Sequence, residues 1–403
     1  MWNKLIEFEE AEKLIKNTIK EITATETVHL KNALGRVLAK DVLAHLDIPS
    51  FNRATMDGFA LYSKDTEGAS SNKPVILNIK GKIWPGTPLE IKLNSGECVK
   101  IATGATLPKG VDAVVKQEDV EVEANKIFIT EPLKQWENVG LKGGDIKRGE
   151  LLLGRGTLIT PGRIAGLAAC GIAELLVYKK PNLLIVASGS EIQSVGKEPL
   201  MPGKVFDINS YTILSLLTLN GACGVIYSPY LKDTIEDFIK VFLEAEKYDG
   251  IIFSGSTSIG ERDLLAKAIL EVGGEVIFHG VNTMPGKPTL FGKYKETIIW
   301  GLPGFPTSCF MIAYTMLVPA LRKVGHLEPF PVRREMLPMG EALKLPSLPT
   351  KFITVNVKDK KVFPVFKGSS MISSFLSAQG YVVIPRGVSQ VEKDSLVEVI
   401  FLQ

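Results

Sequence analysis

Cysteine and histidine are scarce in this chain, with four of each in 403 residues. Cys98, Cys170, Cys223 and Cys309 lie far apart, with no Cys-x-x-Cys pair and no Cys/His cluster. That spacing excludes a structural zinc site and a disulfide framework. It fits a reduced, cytoplasmic setting in which the cysteines are small buried apolar residues. Long apolar runs are also missing. None approaches the roughly 18 residues of a membrane span, so no membrane association is expected. The stretch MWNKLIEFEEAEKLIKNTIK is too charged for a signal peptide. A net charge of only +3 gives no concentrated basic face. A nucleic-acid partner is therefore not expected. There is no internal repeat and no low-complexity tract.

What is present reads as a soluble, multidomain chain of about two to four domains. Residues 6–22 place Phe8, Ala11, Leu14, Ile15 and Ile19 at helical spacing, the pattern of an amphipathic helix. From Pro49 to about residue 140, short β-like runs alternate with Gly, Pro and Asn. Pro161 to Ala173 reads as helix again. Residues 182–325 then alternate apolar strands (183–187, 224–227, 250–253, 275–279, 297–300) with helices near 209–219, 233–247, 262–272 and 307–323. That rhythm predicts a parallel, doubly wound α/β sheet. After a Pro-rich segment, residues 352–402 read as a small all-β tail.

In a doubly wound sheet, ligands bind outside the carboxyl ends of the strands. The loops that leave those strands are SGSEI (188–192), SPYLKD (228–233), SGSTSIGERD (254–263), MPGKPTLFGK (284–293) and GLPGFPTS (301–308). SGSTSIGERD spaces Gly255 and Gly260 as in a nucleotide phosphate loop. The Lys and Ser/Thr that should follow are replaced by Glu261 and Arg262. A helix start with acidic residues explains the stretch as well as an anion site does. An acidic residue beside a phosphate makes sense where Mg²⁺ sits between them, and Asp263 suits that ion. SGSEI alone is an ordinary strand-to-loop turn. MPGKP and GLPGFPTS are stiffened by prolines, and Lys287 in such a turn suits an anion. Asp57 in PSFNRATMDGFA, Thr103 in KIATGATLP and the serines of KGSSMISSFLSAQG (367–380) each read equally as turn or cap residues.

Together these stretches resemble the molybdopterin molybdenumtransferases, the MoeA and gephyrin E-domain family, in an archaeal-like version. PSFNRATMDGFA (49–60), ATGATLPKGVDAVV, SGSEI, FDINS (206–210), PGKP and GLPGFPTS stand in the family's order and spacing. The resemblance implies a MogA-like doubly wound α/β domain at 181–326. It adds an elongated N-terminal domain (1–48 with 141–180), an inserted β domain (49–140) and a C-terminal β-barrel domain (327–403). It also implies a homodimer whose active site is shared between subunits. The implied reaction is Mg²⁺-dependent insertion of molybdate, or tungstate, into adenylylated molybdopterin with release of AMP. The molybdopterin adenylyltransferase is an implied partner.

Carried over residue by residue, the resemblance assigns catalysis to Asp57, Thr103, Glu191, Asp233 and Asp263, and Mg²⁺ to Glu191 and Asp263. Substrate contact falls to Gly189, Ser190, Asp207, Ser254, Gly255, Ser258, Gly260, Pro285, Lys287, Pro303, Pro306, Ser308, Ser370 and Ser373. The chain departs from the family at Ser190, where Asp is usual, and at Met284, where Lys or Arg is usual. A third departure is Pro349-Thr350-Lys351-Phe352, where Gly-Arg-x-x-Phe is usual. Lys351 is the nearest cation to make up that loss. Two rival readings remain: a molybdopterin-binding paralogue without turnover, acting as scaffold or carrier, and a molybdopterin adenylyltransferase.

Overall fold

The computed structural model describes residues 5–86, 91–255, 263–330 and 332–402. The chain divides into two compact units, residues 27–177 and residues 1–26 with 178–403.

In the unit spanning 27–177, the β-rich stretch forms a six-stranded sheet. Its order is Ala113–Lys116, Gly58–Leu61, Glu97–Ile101, Val75–Ile83, Lys126–Ile129, Val120–Glu123. Phe59, Leu61, Cys98, Ala113 and Val115 enter one core cluster, and Ala60, Val99 and Val114 enter another. Successive side chains of a strand point to opposite faces, so both faces of this sheet are covered. That is why Gly58–Leu61 is buried at every position. The helix read to Ala173 is shorter, Pro161–Ala169, and packs with Leu38, Ile159, Leu175 and Val177.

The other unit holds the doubly wound sheet. Its strands are β1 (Asn182–Ala187), β2 (Cys223–Ile226), β3 (Gly250–Ser254), β4 (Glu275–His279), β5 (Leu290–Tyr294) and β6 (Thr297–Leu302). They run in the order β2-β1-β3-β6-β5-β4. β1 is parallel to β2 and β3, and β3 to β6. Within β1, Leu183 and Ile185 face one core while Leu184 and Val186 face the other. The first core takes Ile213 and Leu217 of α1 (Asn209–Leu219). The second takes Phe238 and Val241 of α2 (Ile235–Phe242), with Leu265 and Ile269 of α3 (Leu264–Glu271). Helices on both faces account for the near-continuous apolar runs.

Two elements differ from the sequence reading. β5 lies inside the stretch read as a loop and runs antiparallel to both β4 and β6. Tyr294 pairs with Thr297 across a tight turn, in which Lys295 takes a left-handed φ of 53°. The helix expected at 307–323 begins as α4 (Pro306–Ile312), widens to a π-turn at Ala313–Leu317, and continues over Val318–Val324. Pro319 has no N–H to give to the carbonyl one turn back, a sufficient cause of the widening.

The tail forms a sheet in the order Thr283–Met284, Thr350–Lys358, Gly380–Ile384, Leu396–Phe401, Arg334–Pro338. Lys361–Pro364 pairs with Thr350–Lys358, and a bridge from Met339 to Val362 brings the two edges together as a barrel. Its first strand, Thr283–Met284, comes from the MPGKP loop of the α/β domain and runs parallel to Thr350–Lys351.

Candidate active site at the strand ends

β1 lies between β2 and β3, so the chain leaves it toward one side of the sheet and leaves β3 toward the other. Such a switch point opens a crevice at the carboxyl edge. Short bonds hold the exits together. Ser188 N–H donates to Ser254 O at 3.0 Å, Gly189 N–H to Leu231 O at 3.3 Å, and Gly255 N–H to Leu302 O at 3.3 Å. The Leu231 bridge carries Asp233, two residues on, to this edge, where it is exposed.

Two glycines are fixed by close approach. A Cβ on Gly255, at φ 94°, would stand 2.5 Å from Ser188 O. One on Gly189, at φ 146°, would stand 2.7 Å from both carboxylate oxygens of Glu191. Glu191 therefore folds back over the β1 exit. Ser190 is exposed, and its carbonyl accepts from Lys204 Nζ. Ser258 and Gly260, with Glu261 of the opening turn, lie outside the described residues.

FDINS forms the entry to α1. Asp207 is buried, and its Oδ1 accepts the Ser210 N–H at 3.0 Å. Its Oδ2 has no aligned hydrogen-bond donor among the described residues. Burial raises the Tyr230 hydroxyl pKa, and the Asp207 charge adds to that rise. Burial likewise pushes the Cys309 thiol up to about 12, with a further push from Asp207. Asn209, which sequence reasoning passed over within the same motif, donates Nδ2 to Ser254 Oγ and to Gly304 O, each at 2.8 Å.

Asp263 caps α3. Its Oδ1 accepts the Ala266 N–H at 3.1 Å. Oδ2 stands 2.8 Å from His279 Nδ1, and both side chains are buried. The second contact is an ion-pair distance without aligned hydrogen-bond geometry. His279 closes β4 and was read only as part of a strand. With both oxygens engaged, Asp263 has room for at most one-point attachment to a cation.

Three further stretches meet here. The 280–289 turn leaves β4 at the same edge, with Pro285 buried and Lys287 exposed. In GLPGFPTS, Pro303 and Ser308 are buried and Pro306 opens α4. The serine stretch of the tail packs against that opening: Thr307 N–H donates to Ser369 O at 3.0 Å, and Thr307 Oγ1 to Met371 O at 3.4 Å. Ser370 and Ser373 are exposed beside it, while Ser374 is buried and accepts the Lys367 N–H. Lys351 is not a cation of this edge. It is fully buried in the tail, with Nζ on Val388 O at 2.9 Å and Ser347 O at 3.5 Å. Burial lowers its pKa.

The remaining pair belongs to the unit of residues 27–177. Thr103 donates its N–H and its hydroxyl to Asp57 Oδ1, both at 2.7 Å. Those bonds, the main-chain one first, hold the Asp57 carboxyl below the usual carboxylate range.

Among the described residues no group of three or more His, Cys, Asp or Glu side chains forms a metal cage. Among the described residues no helix is long and apolar enough to cross a membrane.

An α/β sheet with a glycine-lined switch point, joined to a barrel-like tail, defines a multidomain α/β protein with a ligand crevice at its strand ends. The family described as "Probable molybdopterin binding domain" matches residues 185–323, the MoeA N-terminal region (domains I and II) residues 6–171, and the MoeA C-terminal region (domain IV) residues 337–402. A molybdopterin molybdenumtransferase of Haemophilus influenzae is 36% identical over 75% of this chain and 73% of its own length. One from Staphylococcus aureus is 33% identical over 94% and 91%. A crystal structure of the MoeA molybdopterin biosynthesis protein of Pyrococcus horikoshii superposes with a TM-score of 0.85 at 33% identity, covering 99% of this chain and 100% of that one. The chain belongs to the MoeA family.

Proposed function

We propose that this enzyme of molybdenum cofactor biosynthesis inserts molybdate, or tungstate, into adenylylated molybdopterin and releases AMP. The convergence of the β1, β3 and β6 exits on one crevice supports this reading most. It brings the Gly189 and Gly255 turns and the entry to α1 together with Glu191, Asp233 and Asp263 at the same edge. Lys287, Ser370 and Ser373 are exposed and available to an oxyanion. Glu191 and Asp263 would hold Mg²⁺, which when bound draws charge from the phosphoanhydride. Asp207 and the glycine turns orient the substrate, and the buried prolines keep the crevice edge rigid. Asp57, held ionised by Thr103, is suited to accept a proton or order water.

Purified protein given the adenylate, Mg²⁺ and molybdate should release AMP, followed by chromatography. No AMP, with an active relative in parallel, would sink the proposal. Tungstate in place of molybdate separates the two oxyanions. We also propose a homodimer, for which light scattering should give twice the chain mass. Met284 stands where the family usually has a cation, and Lys351 is buried away from this edge; both favour one rival, a molybdopterin carrier. That rival predicts tight binding of molybdopterin without AMP release.

A further inference from the structure

The sheet holds two of these exits together only as far as the Gly255 N–H bond to Leu302 O. β3 and β6 pair in register as far as Ser254 and Leu302. Beyond that point Pro303 has no N–H to offer. A side chain takes over. Asn209, the first residue of α1, bonds Ser254 Oγ on one exit and Gly304 O on the other. A carbonyl oxygen only accepts, so the amide nitrogen must face Gly304, and the orientation of the side chain is settled. Asn209 is 9% exposed, and its Oδ1 has no hydrogen-bond partner among the described residues. The helix start that carries it is pinned in turn by Asp207 on the Ser210 N–H.

We propose that Asn209 is a positioning residue: it sets the gap between the Ser254–Gly255 turn and the Pro303–Ser308 loop, and so the seat for the substrate's phosphates. The inference rests on the function proposed above. It concerns binding geometry and not the chemical step. Loss of Asn209 should therefore appear in affinity and KM, with kcat little changed. A merely structural role would lower the thermal midpoint and the active fraction and leave KM alone.

The test uses the full chain. Binding of adenylylated molybdopterin is measured by calorimetry without Mg²⁺ or oxyanion, beside steady-state AMP release and thermal midpoints. Asn209→Ala removes both bonds. Asn209→Asp keeps the shape and can accept from the Ser254 hydroxyl, but cannot donate to Gly304 O. Both should raise Kd and KM about tenfold or more, the scale of one or two lost buried hydrogen bonds. Ser254→Ala should do less, and the Asn209→Ala/Ser254→Ala double variant should be no weaker than Asn209→Ala alone. Folded variants with wild-type Kd and KM would overturn the proposal, as would losses confined to kcat and stability. If Asn209→Ala fails to fold, Asn209→Asp and Ser254→Ala carry the same comparison. A wild type that binds the adenylate but releases no AMP overturns the function and leaves the binding comparison to decide Asn209. A wild type that does not bind it overturns both.

Discussion

Asp57 and Thr103 stand 46 residues apart in the chain, and one carboxylate oxygen of the first takes both hydrogen-bond donors of the second. A charge so held stays ionised at lower pH than a free carboxylate. Because the folded value is lowered, the stability it contributes is present above the ordinary carboxylate range. It is lost as pH falls through the lowered value. Thr103→Val removes the hydroxyl bond and keeps the N–H. The acid limb of the AMP-release profile should then move to higher pH, and the neutral rate should fall about tenfold. An unmoved limb at full rate would take Asp57 out of the chemistry.

Asp263 can be tested for two roles at once. Asn caps a helix about as well as Asp. Asp263→Asn keeps the cap but loses the charge facing buried His279, so it should be less destabilised in urea than Asp263→Ala, yet need far more Mg²⁺ for AMP release. Asp263→Ala should lose the activity and also about 1 kcal/mol of stability with the cap. Equal Mg²⁺ dependence in wild type and Asp263→Asn would assign the residue to folding alone.

Lys351 is buried against carbonyl oxygens, and burial lowers its pKa. Between that lowered value and the ordinary lysine value the unfolded chain holds more protons. Stability should rise with pH across that window. Lys351→Met should flatten the slope and leave AMP release within about twofold, because the ammonium faces the tail's interior. A large loss of activity would restore it as an oxyanion contact.

Burial also sorts the thiols. Those of Cys98 and Cys309 are pushed up to about 12, and that of Cys170 is raised. Cys223 is exposed. Native protein at pH 8 should therefore yield one fast-reacting thiol to a disulfide reagent, and all four only on denaturation. Rapid labelling of Cys309 would mean that the core beneath the crevice opens.

The alternation of apolar runs and helical stretches made the doubly wound sheet readable, because a strand covered on both faces must be apolar throughout. β5 escaped that reading. Its Gly292 and Lys293 break the apolar pattern, and a strand antiparallel to its chain neighbour needs only a tight turn to form. Asp57 and Thr103 were each singled out, but their partnership depends on a fold bringing distant turns together. The same holds for Thr307 and the serine stretch. Lys351 looked like a surface cation because nothing in its neighbours' identities says which way a strand residue points; register alone decides that. Asn209 and His279 carried one available signal each: a place in the FDINS motif and a place at a strand's carboxyl end.

The pairing of Thr283–Met284 with Thr350–Lys351 means that the MPGKP turn has two owners. One end is rooted in the α/β sheet, and the other is woven into the tail. A barrel tethered only by its linker would drift independently of the crevice. This one is stitched to the turn that carries Lys287, so displacing the barrel by an ångström tugs on the lysine as well. Substitutions deep in the tail, remote from any ligand, should on that account be felt as changes in oxyanion affinity.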